Sequence, residues 1–196
     1  MKGFMIAGVS SGIGKTTVSM GLMSLFENVS PFKVGPDYID TTFHQFVTGN
    51  KSYNLDLFMM GEEGVKYSFY KHHKGISIVE GVMGLYDGIN HSLDNNSSAH
   101  LARVLDLPVI LIVSGGGKST SIAAEVLGYK MLDSRVKIAS VIINRTTEAM
   151  YKHYKEAIEK YTGVECIGYL PKDESLSVSS RHLGLLQAEE IDGLRE

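Results

Sequence analysis

Gly3-Phe4-Met5-Ile6-Ala7-Gly8-Val9-Ser10-Ser11-Gly12-Ile13-Gly14-Lys15-Thr16-Thr17 is the stretch on which the fold turns. An apolar run at residues 3–7 enters a glycine-rich loop, and residues 15–26 continue as a helix. Strand, glycine loop and helix in that order make a phosphate-binding loop. The glycines let backbone N–H groups approach phosphate oxygens with no Cβ in the way. The helix N-terminus adds its partial positive charge. Gly12, Ile13, Gly14, Lys15, Thr16 and Thr17 are therefore expected to cradle ATP. Lys15 would reach the β- and γ-phosphates, and Thr16 would place its hydroxyl on Mg²⁺. The spacing is unusual: the common motif puts four residues between its first glycine and the Gly-Lys pair, a position held here by Val9, whereas counting from Gly8 gives five.

Outward from this stretch, short apolar runs alternate with helix-like segments. Strands are predicted at residues 32–34, 76–79, 108–113, 138–143 and 166–170, and helices at 61–72, 97–105, 119–131 and 146–161. Continuous apolar strands separated by helices mean βαβ units and a sheet buried on both faces. The expectation is an α/β fold, a doubly wound and mostly parallel sheet of the P-loop NTPase type. No repeat, low-complexity tract or linker divides the sequence, so residues 1–196 read as one ATP-binding domain. Residues 35–54 and 82–96 lack periodicity and read as long loops at strand ends, where open α/β sheets place ligands. A second glycine stretch, Ser114-Gly115-Gly116-Gly117-Lys118-Ser119, has Ile112 at the offset where a phosphate loop needs a small residue. It reads as a simple βα connection.

Composition excludes more than it selects. A hydrophobic share of 43%, a charged share of 21% and a net charge of -3 describe an ordinary globular chain with no electrostatic case for nucleic acid or a membrane surface. No apolar run has the length of a bilayer span. The single cysteine, Cys166, allows no internal disulfide and no multi-cysteine metal site, and a cytoplasmic location is expected. Cys166 sits in an apolar run and reads as buried packing. His44, His72, His73, His91, His153 and His182 show no metal spacing, and most of them read as solvated or locally bonded. His100 and His182 are left open.

Phosphoryl transfer also requires carboxylates for Mg²⁺ and groups that hold the reacting oxygen in line. Glu80 ends a buried strand, where an acid needs a partner, and is the strongest candidate. Asp37 and Asp56 follow the second strand, and Asp87 lies in Gly84-Leu85-Tyr86-Asp87-Gly88. Asp37 and Asp87 also suit turns that use an aspartate to bond the backbone.

These loops carry a family resemblance. Lys33-Val34-Gly35-Pro36-Asp37-Tyr38-Ile39-Asp40, Asn54-Leu55-Asp56, Glu80-Gly81-Val82-Met83-Gly84-Leu85-Tyr86-Asp87-Gly88 and Ser97-Ser98-Ala99-His100-Leu101-Ala102 resemble the synthetase domain of the cobyrinic acid a,c-diamide synthases. The resemblance continues through Val141-Ile142-Ile143-Asn144-Arg145, Leu170-Pro171-Lys172-Asp173-Glu174 and Arg181-His182-Leu183-Gly184-Leu185. That domain is similar to dethiobiotin synthetase, whose loop carries the same longer spacing. The resemblance implies ATP-dependent amidation of the a and c acetate carboxylates of a corrin precursor through an acyl phosphate, with Mg²⁺ held by Thr16, Glu80 and Asp56. It implies that Lys33 reaches the γ-phosphate or acyl phosphate, and that Asp37, Tyr38 and Asp87 handle substrate. Ser97 and Ser98 would contact a substrate carboxylate or cap their helix, and Asn144 would read the adenine edge or cap the next helix. It implies a tetrapyrrole substrate, a homodimer, and a glutaminase domain or subunit as the ammonia source. No such domain fits within this chain, because Cys166 lies inside the synthetase region. Sirohydrochlorin a,c-diamide synthase, cobyric acid synthase and dethiobiotin synthetase remain enzyme alternatives. A partner-regulated partitioning ATPase is weakened by Ser10, near where those proteins carry a second lysine. A noncatalytic tetrapyrrole-binding domain is a further alternative.

Overall fold

The computed structural model describes residues 2–172. Its strands are β1 (Lys2–Gly8), β2 (Val29–Val34), β3 (Tyr53–Leu55), β4 (Ile76–Glu80), β5 (Val109–Ser114), β6 (Ile138–Asn144) and β7 (Glu165–Tyr169). Between them run α1 (Lys15–Met23), α2 (Ile39–Thr48), α3 (Leu57–His72), α4 (Ser98–Val104), α5 (Ser121–Leu132) and α6 (Glu148–Thr162). The strands form one sheet in the order β3-β2-β4-β1-β5-β6-β7, and every pairing is parallel.

Parallel strands need crossover connections, and those helices cover both faces. The side chains of β1 divide between the two faces by their period of two. Met5 and Ala7 join the larger core with Val65 and Phe69 of α3, Leu101 of α4, Ile122 of α5 and Ile158 of α6. Ile6 points the other way, to Val18 and Met23 of α1 and to Ile78, Ile112 and Ile142 of the neighbouring strands. The doubly wound sheet expected from the sequence is the one observed. No helix among the described residues is long and apolar enough to cross a membrane.

Two local expectations need correction. Residues 35–54 are not one long loop, because they contain α2 and β3. Helix α2 carries Ile39, Phe43, Phe46 and Val47 at helical spacing, a period the sequence reading missed, and buries Asp40 and His44 beside Phe43. Strand β3 has only three residues. Helix α3 begins at Leu57, capped by Asp56, and breaks at Gly61, whose φ is 65°. The sequence signal from residue 61 therefore caught only the part beyond the kink. Residues 82–96 contain no helix or strand, as expected. Asp173, Glu174 and the segment Arg181-His182-Leu183-Gly184-Leu185 lie outside the described residues.

Candidate active site

Because β1, β2 and β4 run parallel and adjacent, the loops that leave their carboxyl ends gather at one edge of the sheet. The loop after β1 carries Gly12 and Gly14 at φ 68° and 96°, a left-handed region that favours glycine. A Cβ at Gly14 would collide with the Asn144 amide nitrogen. Ile13 anchors the loop by burying its side chain in the smaller core. Lys15 Nζ donates to the carbonyls of Ser10 (3.0 Å) and Met83 (2.7 Å), which ties the β1 loop to the β4 loop. Burial, followed by the nearby Lys33 ammonium, lowers the Lys15 pKa to about 8.

Glu80, at the end of β4, is fully buried. Thr16 Oγ1 donates to its Oε1 at 2.8 Å, and Lys33 Nζ donates to the same oxygen at 3.0 Å. His44 Nε2 donates to Oε2 at 2.7 Å, and His44 Nδ1 lies 3.0 Å from Ser52 Oγ. Lys33 also pairs with Asp40 Oδ2 at 2.7 Å and donates to the Gly81 carbonyl at 3.0 Å. Burial alone would push the Glu80 carboxyl up. The Lys33 ammonium and the hydrogen bonds from His44 and Thr16 outweigh it and hold the group well below the usual carboxylate range. Burial also opposes the charge on Lys33, yet Glu80 and Asp40 keep its pKa above the ordinary lysine value. Burial and the Glu80 charge raise the Asp40 pKa, because the two acids share one ammonium.

This geometry revises several expectations. Lys33 has its three ammonium hydrogens directed at acceptors within the protein: Asp40, Glu80 and the Gly81 carbonyl. Asp56 accepts from the Met59 N–H as the N-cap of α3. By strand register, Asn54 is level with Lys33 and Lys33 with Glu80. Two strand spacings and two residues of rise put the Asp56 backbone roughly 11 Å from that of Glu80. Asp40, not Asp56, is the second carboxylate of the cluster. His44, expected to be solvated or locally bonded, is fully buried within it and bonded to Glu80 and Ser52. Asp40, His44 and Ser52 were missed as site residues. The available signal was the i, i+4 spacing of Asp40 and His44, which puts both on one helix face.

Asp37 Oδ1 accepts from the N–H groups of Ile39 and Asp40 at 2.9 and 3.0 Å, which starts α2. Residues 34–39 and Val82 line an open cleft of about 330 Å³, and Tyr38, 69% exposed, stands at its mouth. Asp87 Oδ2 accepts from the Gly84 N–H at 2.8 Å and shapes the β4 loop. Leu85 N–H donates to the Gly8 carbonyl, so that loop lies directly on the phosphate loop. Ser97 and Ser98 are buried and committed to the chain itself. Ser97 caps α4 by accepting from the His100 N–H, and Ser98 Oγ accepts from the Val82 N–H and donates to its carbonyl. Asn144 does not cap α6, since Thr147 does. The Asn144 amide nitrogen donates to the Ile13 carbonyl at 2.8 Å. The Ser114–Lys118 turn is held by Tyr154, whose hydroxyl donates to the Gly115 carbonyl at 2.7 Å and lies 3.0 Å from that of Lys118. Burial pushes the Cys166 thiol up to about 12, in keeping with a packing role.

Thr16 and Glu80 suit Mg²⁺. A hydroxyl and a carboxylate are hard oxygen donors, and neighbouring ligands of an octahedral Mg²⁺ lie about 2.9 Å apart. The pair is 2.8 Å apart here. Mg²⁺ takes one or two carboxylates with phosphates and waters rather than a protein cage. Among the described residues no group of three or more His, Cys, Asp or Glu forms such a cage.

Over its full length the chain is 73% identical to a cobyrinate a,c-diamide synthase of Fusobacterium nucleatum, covering 44% of that protein. It is 50% identical to one from Caldanaerobacter subterraneus, over 97% of this chain and 43% of the relative. The chain thus spans somewhat less than half the length of these relatives. Among solved structures, it is similar to HypB from Helicobacter pylori in complex with nickel (TM-score 0.56, 14% identity, covering 90% of this chain and 81% of that one). It is also similar to a ParA family ATPase from Chlorobium tepidum (TM-score 0.52, 13% identity, covering 89% and 86%). At such identities these two likenesses concern the fold alone. The model of the CobQ/CobB/MinD/ParA nucleotide binding domain matches residues 4–185, and the chain belongs to that family.

Proposed function

We propose that the chain uses ATP and Mg²⁺ to phosphorylate carboxylates of a corrin-ring precursor, so that ammonia then replaces phosphate and leaves an amide. The similar proteins' name, cobyrinate a,c-diamide synthase, supports the a and c acetates as the groups modified. A carboxylate is a poor electrophile. Its oxygen attacks the γ-phosphorus, the bond to the ADP oxygen breaks, and an acyl phosphate forms. Ammonia attacks the acyl carbon, a proton is lost from nitrogen, and phosphate leaves with the electron pair of the C–O bond.

Each residue has a place in this scheme. The amides of Ile13, Gly14 and Lys15 hold phosphate oxygens, and Lys15 offsets the charge that develops during transfer. Thr16 and Glu80 would hold Mg²⁺, which supplies charge neutralisation at the phosphates. Lys33, Asp40 and His44 fix Glu80. Asp37, Tyr38 and Asp87 border the place of the organic acid, with the Tyr38 ring offered to an apolar macrocycle. Ammonia would come from a glutaminase domain or subunit, or from solution.

The observation that carries this reading is the shared edge. The cleft of residues 34–39 is closed by Val82, two residues after Glu80, while Lys15 is bonded to Met83 in the same loop. The test is mass spectrometry of tetrapyrrole acids incubated with the chain, ATP, Mg²⁺ and ammonium. Successive carboxylate-to-amide mass changes are expected. ATP hydrolysis indifferent to any carboxylate, with unchanged tetrapyrrole, would overturn amidation in favour of a partner-regulated nucleotide switch.

A further inference from the structure

The end of β6 reaches the phosphate loop from two strands away, across β5. Asn144, 7% exposed, donates from Nδ2 to the Ile13 carbonyl at 2.8 Å. Arg145 donates from Nη2 to the Gly12 carbonyl at 3.0 Å. These two carbonyls belong to the peptide units whose N–H groups are those of Ile13 and Gly14. A trans peptide points its C=O and N–H in opposite directions. Pulling both carbonyls toward β6 therefore turns both N–H groups the other way, toward the phosphate side of the loop.

The clamp is itself held in shape. Arg145 N–H donates to Asn144 Oδ1 at 2.8 Å, which fixes the amide so that its nitrogen, not its oxygen, faces Ile13. Arg145 has φ 57°, an uncommon conformation for a side-chain-bearing residue. That turn both donates the N–H to the amide oxygen and aims the guanidinium at Gly12. Gly14 leaves room for the Asn144 amide, which a Cβ there would displace.

We infer that Asn144 and Arg145 are positioning residues that orient the Ile13 and Gly14 amides for phosphate. The inference rests on the nucleotide-binding reading of the loop and not on amidation. The probes are ATP and inorganic tripolyphosphate, each with Mg²⁺, titrated calorimetrically into the chain. Asn144→Ala is expected to weaken both ligands by the same factor, about three- to tenfold for one lost hydrogen bond. In the native chain the Ile13 and Gly14 amide proton resonances should move downfield on adding tripolyphosphate, and in Asn144→Ala that movement should shrink. A merely structural role would leave those two resonances no more affected than their neighbours. Arg145→Gly, which suits a φ of 57°, serves as a second variant should the first fail to fold, and should weaken both ligands in parallel. Weakening of ATP with tripolyphosphate unchanged would overturn the inference and assign Asn144 to the base. Unchanged affinity for both ligands in both variants would also overturn it, as would failure of tripolyphosphate to bind the native chain while ATP binds. A chain that binds neither ligand would sink the nucleotide-binding reading itself.

Discussion

Replacing Lys33 with methionine tests whether the cluster around Glu80 is held by charge. Methionine keeps much of the side-chain length and removes the ammonium from two buried carboxylates, Glu80 at 3.0 Å and Asp40 at 2.7 Å. At 3.0 Å and an effective dielectric constant of about 20, the Glu80 attraction alone is about 5–6 kcal/mol. Losing the ammonium also removes its own desolvation cost, so the net loss should be about 3–5 kcal/mol near neutral pH, as for other broken buried pairs. That is a large part of the ~5–15 kcal/mol that stabilises a typical domain. The pH dependence is the sharper measurement. In the native chain the Glu80 pKa is depressed, so its stabilisation is complete above the unfolded value near 4.5 and is lost only as pH falls through the lower folded value. Between about pH 7 and about pH 5 this contribution is flat. Without Lys33, burial raises Glu80 above its ordinary value and raises Asp40, already elevated in the native chain, further. A raised carboxyl destabilises the fold above its folded pKa, and the loss is recovered as pH falls through that value. Lys33→Met, with both carboxyls raised, should therefore gain more stability on acidification across this range than the native chain, in which only Asp40 of the pair is raised. Urea unfolding followed by circular dichroism in metal-free buffer measures both. Parallel curves, or a loss below about 1 kcal/mol, would refute the reasoning and describe Lys33 as no more than a surface-strength pair.

Glu80→Gln keeps the shape of the side chain but removes the carboxylate beside Thr16. ATP turnover should fall about 10²–10³-fold with far-ultraviolet circular dichroism unchanged, and retained turnover would remove Glu80 from the metal site. Lys15, lowered to about 8, should be raised again by phosphate. Nucleotide binding near that pH should then take up about half a proton, and near pH 6, where the ammonium is already formed, almost none. Calorimetry in buffers of different ionisation enthalpy reads this directly, and no buffer dependence at the higher pH would contradict it. Asp56→Ala should cost about 1 kcal/mol through the lost helix cap. The Mg²⁺ dependence of turnover should stay unchanged, and a shift in it would restore Asp56 to the metal.

Much of this architecture was legible in the sequence because β1, β4, β5 and β6 bury both faces and so read as continuous apolar runs. The phosphate loop was legible for a different reason: its glycines and its Lys-Thr pair answer to backbone geometry that few other residues satisfy. Helix α2 was hidden by its own role. It does carry apolar residues at helical spacing, Ile39, Phe43, Phe46 and Val47, but the run is only ten residues long and sets them beside buried Asp40 and His44. The ion pair of Lys33 with Asp40 was not legible either, because it depends on α2 lying against β2, which spacing along the chain does not show. Asn144 and Arg145 were quoted as a motif, yet their contacts cross about 130 positions of chain. Spacing along the sequence carries no trace of such a contact.

Helix α2 has one more consequence. Its N-cap Tyr38 and first residue Ile39 border the cleft, the next residue, Asp40, grips Lys33, and one turn later His44 holds Glu80. These points lie within the first two turns of this ten-residue helix. A guest that nudges the outer end must tilt the inner end with it, as a lever does about its pivot. Whatever change in grip a bound acid produces at Thr16, a bound nucleotide must return in equal measure at the cleft, since coupling between two sites is reciprocal.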